Sequence, residues 1–442
     1  MISDYIFLIS LSIIVLLGLF IFFTRYFNLS LKNKINYFSV LYHSIKDKKD
    51  VSLLIDIDNG SINIAIVSFV KNQVPEFLYS VNTSFVKGKL DTSELSNKIN
   101  LLLDSLLKVA IKEGSNNSRW KNKNKKFSRV VISLSSPWLT LKQKNIHLSK
   151  DIPFIITKKF IDNITSNEEK LFKKELLKDF SVKEYGQFEI IEKSIIHAKI
   201  NGYTIDDVIN KKTKNLDAYL YMSAISQKIE ENISDIVLKH THISKENILI
   251  HSFPLVLFST VRDNFMGNSD FIIININSEV TDIILVNDHI IKSTTSFPFG
   301  KNTIIRQIAK SFKVSMEIAQ SELNMYLSKK IDNNIYVSIQ SLMEDLEKEW
   351  SIYFEDALLT LSPNMILPKK IFMTTDAEVS SIFMDFLKPS RSDATFGFRK
   401  SIEVVHVDET TLSSSYQNNF KIPISESTII LAIFHNKLIQ NQ

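Results

Sequence analysis

The residues with the most chemical potential stand in two short stretches of similar build. Residues 55–62 read Ile-Asp-Ile-Asp-Asn-Gly-Ser-Ile and put Asp56, Asp58, Asn59, Gly60 and Ser61 around one turn. Residues 275–283 read Asn-Ile-Asn-Ser-Glu-Val-Thr-Asp-Ile and supply Asn275, Asn277, Ser278, Thr281 and Asp282. Two carboxylates on one turn, Asp56 and Asp58, are a composition for general acid–base work. A glycine in a polar turn instead lets backbone N–H groups approach an anion closely. Gly300, after Phe297-Pro298-Phe299, and the pair Thr374-Thr375 before Asp376 are further polar points bounded by apolar residues. Other chemistry is thinly represented. His240, His242 and His251 surround a helix end without a supporting carboxylate spacing, so they read as surface and core histidines, and no metal is expected. The chain has no cysteine, which excludes disulfides, thiolate zinc sites and a thiol nucleophile. The motifs G-x-S-x-G, H-E-x-x-H and G-x-x-x-x-G-K-[ST] are absent.

The elements that must position these residues alternate between strand and helix. Residues 51–70 are two β-rich apolar runs joined by Asp58-Asn59-Gly60-Ser61, a hairpin composition, and 77–85 offers a third strand. Leu95, Ile99, Leu102, Leu103, Leu106 and Leu107 recur at helical spacing within 92–112. Strands are expected at 129–134 and 139–148, split by Pro137, then a charged helical stretch from Pro153 and strands at 188–198 and 218–224. A helix at 227–238 and a short strand at 248–250 precede a second strand–turn–strand unit at 271–286. Amphipathic helices follow at 304–312 and 316–326, a longer helix at 342–361, and a strand at 370–373. Trp350, Tyr353 and Phe354 on the long helix read as core between two lobes. A hairpin opening each half argues for a two-lobed α/β body with an internal duplication.

At 442 residues and 44% hydrophobic, the chain can bury a sizeable core in two or more domains. A net charge of +5 is too mild to call for nucleic acid, and none is expected as a partner; it suits work beside an anionic membrane. Residues 5–24, YIFLISLSIIVLLGLFIFFT, carry no charge and match the roughly 20 apolar residues that span a bilayer. The start Met1-Ile2-Ser3-Asp4 lacks the basic region of a cleaved signal peptide. Arg25, Lys32, Lys34, Lys46, Lys48 and Lys49 follow the run and no Lys or Arg precedes it, which places the N-terminus outside and the body in the cytoplasm, at an inner membrane. A second basic stretch, Arg119, Lys121, Lys123, Lys125 and Lys126, reads as a solvated loop, with lipid head-group contact as the alternative.

Taken together, the ordered motifs resemble a divergent member of the actin-like proteins of the FtsA/PilM type, which serve bacterial division and type IV pilus assembly. The resemblance spans about residues 51–435. Residues 55–62 resemble the first phosphate loop. Ile200-Asn201-Gly202-Tyr203, Lys211-Lys212 and Leu216-Asp217-Ala218 resemble an insert specific to that family. Residues 275–283, then Phe297-Pro298-Phe299-Gly300 and Gln307-Ile308-Ala309, are similar to the second phosphate loop and its sequel. Ile371-Phe372-Met373-Thr374-Thr375-Asp376-Ala377 sits where the family has an adenosine-binding T-G-G-G. The implied fold is two-lobed and actin-like, a duplicated ribonuclease-H-like unit with an FtsA/PilM-type insert subdomain, behind one transmembrane helix. The implied boundaries are an anchor at 1–27, a basic linker at 28–50, a first lobe at 51–150 and 227–267, the insert at 151–226, and a second lobe at 268–442.

The resemblance implies ATP with magnesium as cofactor, held by Asp56, Asn59, Gly60, Ser61, Asn275, Asn277, Ser278, Thr281, Asp282, Gly300, Thr374 and Thr375. The departures weaken that implication. Asp58 puts a carboxylate where a loop glycine belongs, Asn275 replaces the acid of the second loop, and Asn277 and Ser278 replace its paired glycines. Thr375 and Asp376 replace the adenosine glycines. The expectation is a degenerate pocket, no cofactor and no catalysis: a membrane-tethered scaffold that recruits division or pilus-platform proteins, with self-association open. An ATP-binding polymerising switch is the alternative. A sugar-kinase-like enzyme on the same fold lacks an identifiable base.

Overall fold

The computed structural model describes residues 50–85, 92–116, 126–179, 187–205, 207–265, 267–361, 367–388 and 402–440. The expected anchor at 5–24, the basic linker, and Arg119 to Lys125 lie outside the described residues. Among those described, no helix is long and apolar enough to cross a membrane.

The first lobe opens with β1 (Asp50–Ile57), β2 (Ser61–Phe69) and β3 (Glu76–Ser84), an antiparallel meander, and continues through α1 (Thr92–Asn116) to β4 (Arg129–Leu134). After an inserted subdomain come α3 (Gln227–Thr241), β9 (Ile248–Ser252) and α4 (Phe253–Asn264). Its sheet has the order β3-β2-β1-β4-β9, with β4 and β9 added in parallel. The second lobe repeats this plan. β10 (Phe271–Ile276), β11 (Thr281–Asn287) and β12 (Ile290–Phe297) form the meander, β13 (Lys370–Thr375) and β14 (Glu403–His406) add in parallel, and the order is β12-β11-β10-β13-β14. Helices α5 (Lys301–Phe312), α6 (Met316–Leu327), α7 (Asn333–Leu361) and α8 (Ser380–Phe386) complete it, and α9 (Glu426–Gln440) closes the chain. The internal duplication expected from the two hairpins is thus present strand for strand.

Strand parity explains the layers. β1 and β10 are buried on both faces, as their unbroken Ile/Leu/Val runs require. Leu53, Ile55 and Ile57 face outward to α1 and α3, whereas Leu54 faces inward. Phe271 and Ile273 likewise face inward, and Ile272, Ile274 and Ile276 outward. Between the two sheets lie α4 and α9, which share one core with the inward residues of both. α4 is buried from Phe253 through Val261. Its first six residues are all apolar, so this end of the helix belongs inside and has no amphipathic period to betray it.

Four expectations need correction. Trp350 and Phe354 are core of the second lobe's outer face, not between lobes: Trp350 packs on Phe354 at 4.8 Å, Phe297 at 5.9 Å and Phe383 at 6.4 Å. The inserted sheet, β5-β8-β6-β7, begins at Leu139 rather than 151, because β5 (Leu139–Ile155) pairs with β8 (Lys212–Ser226) along its length. β5 also runs through Pro153, where a helical stretch is predicted; it is an edge strand with a register shift between Ser149 and Phe154, and an edge tolerates proline. The 268–442 segment is not all second lobe, since α9 packs on α4, β1 and β2. The inserted sheet is completed by β6 (Phe188–Ile200) and β7 (Tyr203–Thr204), backed by α2 (Lys158–Asp179).

Candidate functional site

The two hairpin turns meet where the lobes face one another. Each is closed in the same way: the Asp58 N–H donates to Ser61 O at 3.0 Å, and the Asn277 N–H to Val280 O at 2.9 Å. Across the seam, Asp58 Oδ2 accepts the Ser278 N–H at 3.1 Å and its hydroxyl at 2.8 Å. Asn59 Oδ1 accepts the Glu279 N–H at 3.0 Å, and its Nδ2 donates to Ser136 O at 2.9 Å. Ser136 in turn donates its hydroxyl to Asp282 Oδ1 at 2.8 Å. Gly60 has no room for a side chain: a Cβ there would lie 2.5 Å from Ser278 Cβ. Gly300 is packed as tightly against the second turn, where a Cβ would meet Asn277 O at 2.4 Å.

The duplication carries into the polar residues. Asp56 pairs across its hairpin with Asn63 and lies beside Ser133, and it accepts hydrogen bonds from Asn63 Nδ2 at 3.2 Å and Ser133 Oγ at 2.7 Å. At the equivalent place, Asn275 pairs with Asp282 and lies beside Thr374. Asp282, itself one of the residues of the second stretch, therefore lies directly across the hairpin from Asn275. Asp282 also accepts from Asn277 Nδ2 at 3.1 Å, and Asn275 Nδ2 donates to Asn277 Oδ1 at 2.9 Å.

Beside the seam is a cavity of about 470 Å³, lined by residues of both lobes and by the turn before α9. Among the described residues its carboxylates are Asp56, Asp58, Asp376, Asp408, Glu409 and Glu426, its one imidazole is His406, and no lysine or arginine lines it. Burial pushes Asp58 up to about 7 and Asp282 up to about 6, against the hydrogen bonds that favour their ionised forms. Burial also raises Asp56 and Glu426. Lys301, at the first turn of α5, is 7% exposed and donates to Asp376 at 3.0 Å and Glu378 at 2.7 Å; burial works against its charge and those two carboxylates restore it.

Of the residues predicted to hold a nucleotide, Asp56, Ser61, Asn275, Asn277, Thr374 and Thr375 line this cavity. Asn59, Gly60, Ser278, Asp282 and Gly300 instead build the seam. Thr281 is fully buried and donates to Phe299 O at 2.7 Å, a brace for the second turn. Thr375 also donates to Ile276 O at 3.1 Å. Ser133, Ser136, Lys301, His406 and Glu426 escaped notice in the sequence because they reach the site from distant, unremarkable positions. The histidines are dispersed: His240 Nε2 lies 2.8 Å from Asp104 and His251 Nδ1 lies 3.0 Å from Glu192. Among the described residues no group of three or more His, Cys, Asp or Glu is arranged to hold a metal ion.

The two turns touch each other directly, the Ser278 N–H is taken by Asp58, and the described lining of the cavity is rich in carboxyl groups.

No family model and no curated protein matches the sequence. Solved structures do match the fold. The PilM–PilN type IV pilus biogenesis complex aligns at 11% identity over 89% of this chain and 99% of that chain, with a TM-score of 0.54. The fold is actin-like. A Bacteroides thetaiotaomicron protein with actin-like ATPase fold and unknown function matches at 11% identity over 82% of this chain and 94% of its own, TM-score 0.35. The ethanolamine utilization protein EutJ from Carboxydothermus hydrogenoformans matches at 11% over 92% and 98%, TM-score 0.42. In this actin-like body, the cleft between lobes is the place where the seam and the acidic cavity lie.

Proposed function

We propose that this chain is a membrane-anchored, non-catalytic actin-like scaffold of the FtsA/PilM type that recruits a cytoplasmic assembly to the inner membrane. The observation that carries this reading is the Asp58 carboxylate bound to the Ser278 N–H and hydroxyl, which joins the lobes directly between the two turns that resemble phosphate loops. A cleft held shut by its own side chains needs no nucleotide to keep the lobes together. The uncharged run at 5–24 supplies the anchor, and confinement to a surface raises the effective concentration of weakly bound partners. The C-terminal helix does not serve as a membrane tail, because Ile429 to Ala432, Phe434, Leu438 and Ile439 are buried in the body. Between division and pilus assembly, the likeness to a PilM–PilN complex favours a pilus-platform partner.

The test is Mg-ATP calorimetry on the full chain in lipid nanodiscs. The expected result is no heat and no thermal shift at millimolar ATP. Micromolar binding would overturn the scaffold and restore the ATP-gated polymerising switch.

A further inference from the structure

The inserted sheet has a root and a far end. Its root joins the first lobe, where Leu139 pairs with Ile225 and Phe188 with Ser226. At the far end, Ile155 pairs with Lys212 and Phe154 with Thr213, while Ile200 pairs with both Leu216 and Tyr203. The connecting segments close on one another: the Ile156 N–H donates to Lys211 O at 2.9 Å, and the Asn201 N–H to Asn215 O at 3.0 Å. One small surface therefore carries Ile152, Ile155 and Tyr203, which are 79%, 56% and 79% exposed. The same surface carries Lys150, Lys158, Lys159, Lys211, Lys212 and Lys214, all exposed. Among the described residues none of these amines is in an ion pair; Lys150 lies over the rings of Phe154 and Phe160. The carboxylates described at this end are Asp151, Asp162 and Asp207, with Asp217 against His147 and the second lobe's Asp288 against Lys199 one residue further in. Other exposed apolar residues keep different company: Ile352 and Leu359 on α7 stand among Asp345, Glu355 and Asp356.

We propose that this far end of the inserted subdomain rests on the anionic headgroup surface of the bilayer. The inference rests on the anchoring reading above, since the tether holds the body beside the membrane. The charge complements phosphatidylglycerol or phosphatidylserine, and the isoleucines and tyrosine are of the kind that enter the interface. Geometry permits it. β8 has 15 residues and spans roughly 50 Å at about 3.3 Å per residue. Residues 25–49 reach at most roughly 85 Å when extended. Contact at both the anchor and this end fixes how the body faces the membrane.

The chain has no cysteine, so Tyr203→Cys carries a single fluorophore, and Leu359→Cys on α7 is the control. The full chain is placed in phosphatidylcholine vesicles, with or without phosphatidylglycerol, containing a doxyl-lipid quencher. Quenching at position 203 alone, and only with phosphatidylglycerol, is the expected result. Lys211→Gln, Lys212→Gln and Lys214→Gln should each lower the bound-to-free ratio roughly fivefold at low ionic strength. Equal quenching at 203 and 359, or equal quenching on neutral vesicles, overturns the proposal. Flotation in alkaline carbonate reads the anchor separately: a chain that fails to float removes the anchor, while quenching on added vesicles still decides the far end.

Discussion

Asp58 Oδ2 accepts two hydrogen bonds from one residue of the opposite lobe, the Ser278 N–H at 3.1 Å and the Ser278 hydroxyl at 2.8 Å. The two residues belong to equivalent turns of the repeated plan, so the contact joins one hairpin to the other. Asn59 with Glu279 and Ser136 with Asp282 repeat the crossing on either side. The lobes therefore meet through a continuous polar seam in addition to the apolar core around α4 and α9.

Removing the carboxylate tests this seam. Asp58→Ala leaves the Ser278 N–H and hydroxyl without their acceptor in a buried place, which costs about 1–3 kcal/mol. Chemical denaturation of the variant at about pH 4–5, where the burial-raised Asp58 is not yet ionised, should show that loss, and exchange of the Ser278 amide should accelerate. A variant as stable as the parent, with Ser278 still protected, would show that the contact is incidental.

Gly60 makes a steric prediction. Its missing Cβ leaves room for Ser278, whose Cβ and Oγ would lie 2.5 and 2.6 Å from an added methyl. Gly60→Ala should destabilise by about 1–3 kcal/mol through overpacking. Ser278→Gly removes both offending atoms, so the double variant should recover part of the loss measured for Gly60→Ala alone. Strict additivity in that cycle would mean the two residues do not touch.

Stability should fall as pH rises across the seam's titration range. Asp58 and Asp282 are raised by burial to about 7 and about 6, above an unfolded value near 3.9. The folded chain then binds protons that the unfolded chain has released, so their contribution is complete below about pH 4 and is lost by about pH 7. Asp104, Glu169 and Asp288, held down by lysine partners, act with the opposite sign, so the parent profile is a sum. The informative quantity is the difference from Asp58→Asn and Asp282→Asn, each of which should remove up to about 1.4 kcal/mol per pH unit of downward slope. Profiles with parallel slopes between pH 4 and 7 would contradict the burial-raised carboxyls.

Most of the meanders and long amphipathic helices were legible because their apolar residues follow a period. The two hairpins and α1 combine strong apolar patterning with polar turns, and the sequence shows them directly. What escaped has no such signature. α4 opens with six consecutive apolar residues and shows no helical period, β12 carries Lys292-Ser293-Thr294-Thr295-Ser296 on a meander edge, and β14 has four residues. The site was half legible for a related reason. Residues within a turn are adjacent in sequence, but Ser136 and Lys301 join it only through tertiary packing. Asn275 and Asp282 are both visible in the sequence, but that they lie directly across one hairpin is set by register, a pairing property that no single strand displays.

The root of the inserted sheet offers a last prediction. Register shifts on β6 around Glu192 disturb the alternation, and the side chain is buried, 6% exposed, against the first lobe. It accepts the Ser223 hydroxyl at 2.6 Å from the inserted sheet, the Ser252 hydroxyl from β9, and meets His251 Nδ1 at 3.0 Å. Tyr221 adds its hydroxyl to Ser252 at 2.9 Å. One carboxylate thus fastens two sheets that share no strand. Glu192→Ala leaves its hydroxyl and imidazole partners without their common acceptor and should cost about 3 kcal/mol. Glu192→Gln keeps an acceptor oxygen and should cost less. Hydrogen exchange separates this local loss from general unfolding: protection should fall at 221–226 and 250–252 while β10 and β13 are unchanged. If protection fell equally in the second lobe, Glu192 would be part of the global core and not a fastening of the inserted subdomain.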